Sequence, residues 1–266
     1  MKLDLQGVAE TSLIPLWARA FETNRSNPII QDTKSVQLLQ NIDYDFSRFE
    51  KAWLSQTGIS IRTIIFDEAT EAFVNQHPDA VIINLGAGFD ARFERMDNGE
   101  IRWYDLDLPE LIEIKRHFFE ETERYRFIAR SVMDFSWFDE IRLAGNPTLI
   151  IAEGLLMYLD EREVKTIFEK LAFHFPNAEM LFEMLALFAL GLSEYHDSVS
   201  QIRSSNVEFK WTMGNSKELE SWSEKIKFIE EWNVLDYFGY RWGWLIFLNA
   251  FFKRMAGDRI VHLRFQ

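Results

Sequence analysis

Two glycines and four acidic residues carry the chemistry that this sequence advertises. Asn84-Leu-Gly86-Ala-Gly88-Phe-Asp90 ends an apolar, β-branched run that begins at Ala80. Glycines in that position let the backbone turn sharply and approach a ligand closely. Roughly twenty residues further on come Asp105 and Asp107, where an acidic side chain accepts hydrogen bonds from ribose hydroxyls. Asp134, in Val132-Met-Asp134-Phe135, and Glu153, in Ile151-Ala-Glu153-Gly154, follow the next two apolar runs. A nicotinamide dinucleotide and S-adenosylmethionine both suit glycines followed by an acid, and Gly86-x-Gly88-x-x-Ala91 satisfies the looser dinucleotide pattern. The acids favour the second. They complement a sulfonium cation, whereas a pyrophosphate meets them with repulsion. Dinucleotide folds also often open on the glycine strand, which here stands well inside the chain.

Alternating strands and helices must position these residues. Strands are expected at 80–85, 101–105, 126–130, 148–152 and 179–183, then at 225–229 and 259–265. The last suits an edge strand added to the end of a sheet. Pro109 opens a helix expected from Leu108 to Arg124. Asp160 and Glu163 form a capping box for one running to His174. Residues 1–76 read as mostly helical, with turns at Asn24–Pro28 and near Thr57-Gly58, and Trp242 to Phe252 as a buried apolar helix. The expectation is an α/β, Rossmann-like fold with a doubly wound, mostly parallel seven-stranded sheet. An N-terminal helical segment (1–76) packs on a core (77–266) that carries a helical lid insertion at about 186–224.

Composition narrows the partners. A length of 266 residues suits one large domain with a lid. The net charge of −13, with no basic run longer than a pair, argues against nucleic acid and anionic membrane surfaces. Without cysteine there is no disulfide, thiolate metal site or cysteine nucleophile, and no metal is expected. The N-terminus lacks a signal-peptide run, and Trp242–Phe252 is too short to span a bilayer, so a cytoplasmic protein is expected.

Three ordered motifs, Asn84-Leu-Gly-Ala-Gly-Phe-Asp90, Asp105-Leu-Asp-Leu-Pro-Glu110 and Glu153-Gly-Leu-Leu-Met-Tyr-Leu159, resemble those of the leucine carboxyl methyltransferase family. Arg19-Ala-Phe-Glu22, Asn27-Pro-Ile-Ile-Gln-Asp32 and Arg62-Thr-Ile-Ile-Phe-Asp67 are similar to its bacterial branch, which includes tetracenomycin-type polyketide O-methyltransferases. The resemblance implies a class I S-adenosylmethionine-dependent methyltransferase. By it, Arg62 pairs with the methionine carboxylate and Gly86 and Gly88 pass under the methionine and ribose. Asp107, with Asp105 beside it, holds the ribose. Asp134 and Phe135 address adenine, Glu153 lies near the methionine amino group, and Tyr158 faces the methyl or the acceptor. Asp67 and Asp90 are read as bracing the loop, and Arg19 as a surface ion pair. Beyond residue 186 the motifs lapse, and Tyr195, His196 and Trp211 are candidate acceptor contacts, with Arg203 and Lys210 further ones.

The implied chemistry is methylation of a carboxylate or hydroxyl oxygen on a small, polyketide-like molecule. The alternatives are an NAD-dependent oxidoreductase and a non-catalytic interaction protein that keeps the fold. A carboxylate, with a pKa of about 4, needs no general base, whereas a phenol near 10 does. No histidine pairs with an acid at a strand tip, which favours the carboxylate. Only His196, in Ser193-Glu-Tyr-His-Asp197, falls in the lid.

Overall fold

The computed structural model describes residues 1, 3, 5–202, 207–243 and 257–266. Seven strands form one sheet: β1 (Val81–Leu85), β2 (Arg102–Asp107), β3 (Tyr125–Ala129), β4 (Thr148–Ala152), β5 (Glu179–Met184), β6 (Ile226–Asn233) and β7 (Arg259–Phe265). Their order is β3-β2-β1-β4-β5-β7-β6. β1 to β5 are parallel, and β7 is antiparallel to both β5 and β6. The order reverses at β1, the switch point outside which open α/β sheets bind ligands.

The apolar runs form central strands because both of their faces are covered. Ile82 of β1 and Leu149 and Ile151 of β4 enter one core; Val81, Ile83, Leu85, Ile150 and Ala152 enter the other. A period of two thus feeds two layers of helix from one strand. The helices are α1 (Val8–Thr11), α2 (Leu13–Thr23), α3 (Thr33–Asn41), α4 (Trp53–Gln76), α5 (Arg92–Met96), α6 (Pro109–Lys115) and α7 (Glu161–His174). The expected capping box opens α7: Asp160 accepts from Glu163 N at 2.9 Å, and Glu163 accepts from Asp160 N at 2.8 Å. A third cluster joins Ile14 and Trp17 of α2 and Ile59 of α4 to Leu185, Val199 and Phe209 beyond β5.

Several expectations are corrected. β7 is inserted between β5 and β6, so β6 is the edge. Four of the seven β7 residues are apolar, and Arg259, His262 and Arg264 each lie against a carboxylate, which suits an interior position; Arg259 is 2% exposed. α6 ends at Lys115 and not Arg124, because Lys115 turns inward to Asp105 and Phe119 packs into the core. No turn breaks the chain at Thr57-Gly58, which lies inside α4. The described part of the lid consists of short 3₁₀ turns, at Leu187–Ala189, Ser193–Tyr195, Val199–Gln201 and Ser216–Ser221, rather than α-helix. Arg203 and most of the expected helix from Trp242 to Phe252 lie outside the described residues.

Candidate active site

A cavity of about 750 Å³ opens at the carboxyl ends of β1, β2, β4 and β5. Residues from α1, α2, the first turns of α4 and the 3₁₀ turns after β5 close over it. The glycine loop forms its floor. Gly86 has φ +66°, and a Cβ there would stand 3.0 Å from Leu155 Cδ1, so both the dihedral and the packing demand glycine. Gly86 N donates to Leu106 O at 2.8 Å, which ties the loop to the end of β2.

Asp107 faces this cavity. Its Oδ2 accepts from Gly88 N at 2.6 Å and its Oδ1 from Leu108 N at 2.7 Å. Burial pushes its carboxyl up to about 6, although both backbone bonds pull the other way. Asp105, two residues earlier, does not line the cavity. It is 1% exposed, lies 2.6 Å from Lys115 Nζ, and accepts from Tyr125 OH at 2.6 Å and Trp103 Nε1 at 2.8 Å. A carboxylate so fully bonded braces the sheet and has no capacity left for a ribose.

Arg62 reaches the cavity from α4 between two acids. Its Nε lies 2.8 Å from Glu153 Oε1, and its Nη1 lies 2.7 and 2.9 Å from the oxygens of Glu183. Gly154, φ +70°, leaves room for the guanidinium: a Cβ there would sit 3.2 Å from Arg62 Nη2. Glu183, at the end of β5, was not assigned from sequence. Its position as the acid ending a buried strand, like Glu153, was the available signal. Burial, with Asp258 and Glu153 nearby, pushes Glu183 up to about 7 against the pull of Arg62.

Arg92 was also missed as a functional support. Fully buried, it reaches Asp67 Oδ1, Asp90 Oδ2 and Glu153 Oε2, each at 2.6 Å. Asp67 and Asp90 therefore brace the loop as expected. Burial disfavours the ionised Glu153 carboxyl, but Arg92 and Arg62 outweigh it and hold the group below its ordinary value. Arg19, expected at the surface, is 3% exposed. It pairs with Asp32 at 3.0 Å and donates to Phe89 O at 3.0 Å, inside the glycine loop.

Asp134 and Phe135 are not brought to the cavity. Asp134 is exposed, pairs with Arg130 at 3.2 Å and caps the 3₁₀ turn Phe135–Glu140. Phe135 packs near Phe138, at 5.6 Å between ring centres. The same loop contributes Arg130, Ser131 and Val132 to the wall instead, because Asp134 is drawn into capping the turn that follows.

Tyr158, Tyr195 and His196 line the opposite end, whereas Trp211 does not. Trp211 is 3% exposed and packs in the core near Phe182 and Trp222. Lys210 also lies off the cavity wall. Burial raises the Tyr158 hydroxyl above its usual range. His196 Nδ1 lies 3.2 Å from Ser198 Oγ and 3.4 Å from Ser55 Oγ. Asp197 accepts from Leu54 N at 3.1 Å and Ser55 N at 3.3 Å, and also from the Ser55 hydroxyl. Burial lowers the His196 imidazole, which keeps it neutral at neutral pH.

The chain has relatives among known proteins in both sequence and fold. The family described as leucine carboxyl methyltransferase matches residues 12–172. The tetracenomycin polyketide synthesis O-methyltransferase TcmP of Streptomyces glaucescens is 34% identical, covering 87% of this chain and 85% of its own. The S-adenosyl-L-methionine-dependent methyltransferase dpfgK of Gibberella zeae is 30% identical, covering 92% and 89%. In fold, the chain is similar to a SAM-dependent methyltransferase of Anabaena variabilis (TM-score 0.54, 9% identity, 83% of this chain and 94% of that one). These likenesses carry the glycine loop away from the dinucleotide alternative. They make this chain a member of the leucine carboxyl methyltransferase family, an S-adenosylmethionine-dependent methyltransferase.

Proposed function

We propose that this enzyme methylates an oxygen atom of a small, polyketide-like molecule, working in the cytoplasm. The TcmP likeness supports the acceptor class. The charge of −13 speaks against nucleic acid as a partner, and no helix among the described residues is long and apolar enough to cross a membrane. Residues 1–76 act as a helical cap on the core formed by 77–266, a division supported by α2 and α4 closing over the cavity.

The observation that carries the reading is the array of side chains on the cavity wall. Asp107, Glu153 and Glu183 present carboxylates, and Arg62 lies between the last two. That set fits a ligand with ribose hydroxyls, an ammonium, a carboxylate and a sulfonium. The close approach at Gly86 leaves backbone, not side chain, beneath it. S-adenosylmethionine supplies an electrophilic methyl group on sulfur. Asp107 is placed to accept from ribose hydroxyls, Glu153 and Glu183 to face the ammonium, and Arg62 to take the carboxylate. The apolar walls exclude water from the acceptor oxygen, whose approach must be in line with the departing sulfur at roughly 3 Å.

Titration calorimetry with S-adenosylhomocysteine tests the assignment. Wild type binds it and does not bind NAD, and Arg62→Ala and Asp107→Ala each weaken binding by about 100-fold or more. Unchanged affinity in both variants overturns the assignment.

A further inference from the structure

We infer that Gly58, inside α4, sets how wide an acceptor the enzyme admits: its bare backbone is the part of the cavity wall against which a flat, fused-ring acceptor lies. The inference rests on the methyltransferase reading above and names the residue that selects the acceptor's size. It holds equally for a carboxylate and for a hydroxyl oxygen.

Among the described residues, five glycines line the cavity: Gly58, Gly86, Gly88, Gly154 and Gly257. The fold accounts for four of them. Gly86, Gly88 and Gly154 have φ of +66°, +45° and +70°, which L side chains rarely adopt. A Cβ at Gly257 would overlap the Asn233 carboxamide, whose oxygen accepts from Leu235 N at 2.9 Å. Gly58 has neither reason. It lies within a regular helix, and its φ is not positive. A Cβ there would meet, among the described residues, only the edge of Trp242, in ordinary contact at 3.8 Å. Glycine inside a helix weakens it relative to alanine. α4 keeps that weakness at a point where a methyl group would project into the cavity.

The place of Gly58 on the helix fits an acceptor contact. Ser55, Gly58, Ile59 and Arg62 all face the cavity, the spacing of one helix stripe. Gln56 and Ser60, on the other face, serve the fold: Gln56 Nε2 donates to Glu22 of α2 at 2.8 Å and to Ser60 Oγ at 3.0 Å. Gly58 stands four residues before Arg62, about 6 Å along the axis.

The sheet gives the direction. Asp107, Glu153 and Glu183 end β2, β4 and β5, so a donor held by Arg62 at its carboxylate extends toward β2. Trp242, against Gly58, belongs to the turns that follow β6, where its Nε1 donates to Tyr237 O at 3.0 Å. Gly58 therefore faces the end of the cavity that the donor leaves open. Ile59, Met157, Leu185 and Trp242 make the wall there apolar, which suits the hydrocarbon body of an acceptor. One carbon more or less in an apolar pocket changes discrimination roughly 10–200-fold, so even a methyl group at position 58 is felt.

The test uses the full chain, methyl-labelled S-adenosylmethionine and two matched pairs of probes, benzoic with 2-naphthoic acid and phenol with 2-naphthol. Wild type should methylate at least one fused-ring probe. In Gly58→Ala, kcat/KM for that probe should fall about tenfold or more relative to its single-ring counterpart, chiefly through KM, and further in Gly58→Leu. The Tm of Gly58→Ala should rise by about 2–4 °C, because α4 loses its glycine. The Kd for adenosylhomocysteine should stay within about twofold of wild type. A lower Tm in Gly58→Ala makes the glycine structural and overturns the inference. Weakened adenosylhomocysteine binding in the variants puts the donor against Gly58 and does the same. So does an undiminished preference for fused rings, or a wild type that neither methylates a fused-ring probe nor binds one, by calorimetry, in its adenosylhomocysteine complex. Failure of wild type to bind adenosylhomocysteine overturns the methyltransferase site assignment instead.

Discussion

Arg62 and Glu183 meet two-pronged across the cavity, Nη1 lying 2.7 Å from one carboxylate oxygen and 2.9 Å from the other, although they stand 121 residues apart in the chain. Helix α4 and strand β5 are thereby joined at the point where the methyl donor's charged end is proposed to sit. Glu153 completes the cluster from β4.

Arg62→Ala strands the buried Glu183 carboxylate and leaves Glu153 with Arg92 alone. Breaking a buried pair on one side costs about 3–5 kcal/mol, so this variant should melt well below wild type at neutral pH in thermal unfolding. Arg62→Lys should recover part of that stability. It should not recover adenosylhomocysteine affinity, because an ammonium cannot grip a carboxylate in two places while holding Glu183.

Asp105 and Asp107 should separate cleanly. Asp105→Ala leaves buried Lys115, Tyr125 and Trp103 without their shared acceptor and should cost several kcal/mol in urea unfolding, about 3–5 by comparison with other buried pairs. Its folded fraction should still bind adenosylhomocysteine. Asp107→Asn, which keeps volume and loses charge, should fold near normally and bind at least about tenfold more weakly by calorimetry.

Much of this was legible in the sequence, and the failures have physical reasons. Fully buried strands announce themselves as apolar runs, so β1 and β4 and the acids at their ends could be placed. Asp105 and Asp107 share a face by the period of two. Only the inward turn of Lys115 and the ring of Tyr125 decide which is consumed by the fold, and neither contact follows from local pattern. Asp134 was misread because a short loop can offer any of several residues, and its capping of Phe135–Glu140 withdraws it. Trp211 was misread because an aromatic ring suits a core as well as a ligand. The Ser55–Asp197 contact spans 142 positions, so the environment of His196 exists only after folding.

Stability should depend on pH through Glu183. Its folded pKa, about 7, lies above the ordinary 4.5. Its contribution is therefore full below about pH 4.5 and lost as pH rises through 7. Glu183→Gln lacks this loss, so its stability relative to wild type should rise across that window by about 1–3 kcal/mol. His196, lowered from its ordinary value, gives the opposite slope, stability gained as pH rises through about 6.5. Being common to both proteins, it cancels in the difference. A flat difference in urea unfolding between pH 4.5 and 8 would contradict this account.

Trp211→Ala should act on folding alone. Truncating a buried tryptophan costs about 3–5 kcal/mol, while the adenosylhomocysteine Kd of the folded protein should move by less than about twofold. Asp134→Ala, which removes the cap of the Phe135–Glu140 turn, should cost a smaller but measurable part of that stability and leave the adenosylhomocysteine Kd unchanged within error.

Helix α4 begins at Trp53 after an N-cap, Ala52, that has no side chain able to cap it, and borrows Asp197 from the turns after β5 instead. Raising that turn would return the first amide groups of α4 to water, and the disturbance would fade within one turn. Arg62 sits about two turns deeper, roughly 10 Å along the axis. Loss of the Asp197 contacts would therefore leave Arg62 in register with Glu153 and Glu183, so a variant such as Asp197→Ala should fray the start of α4 without loosening that cluster.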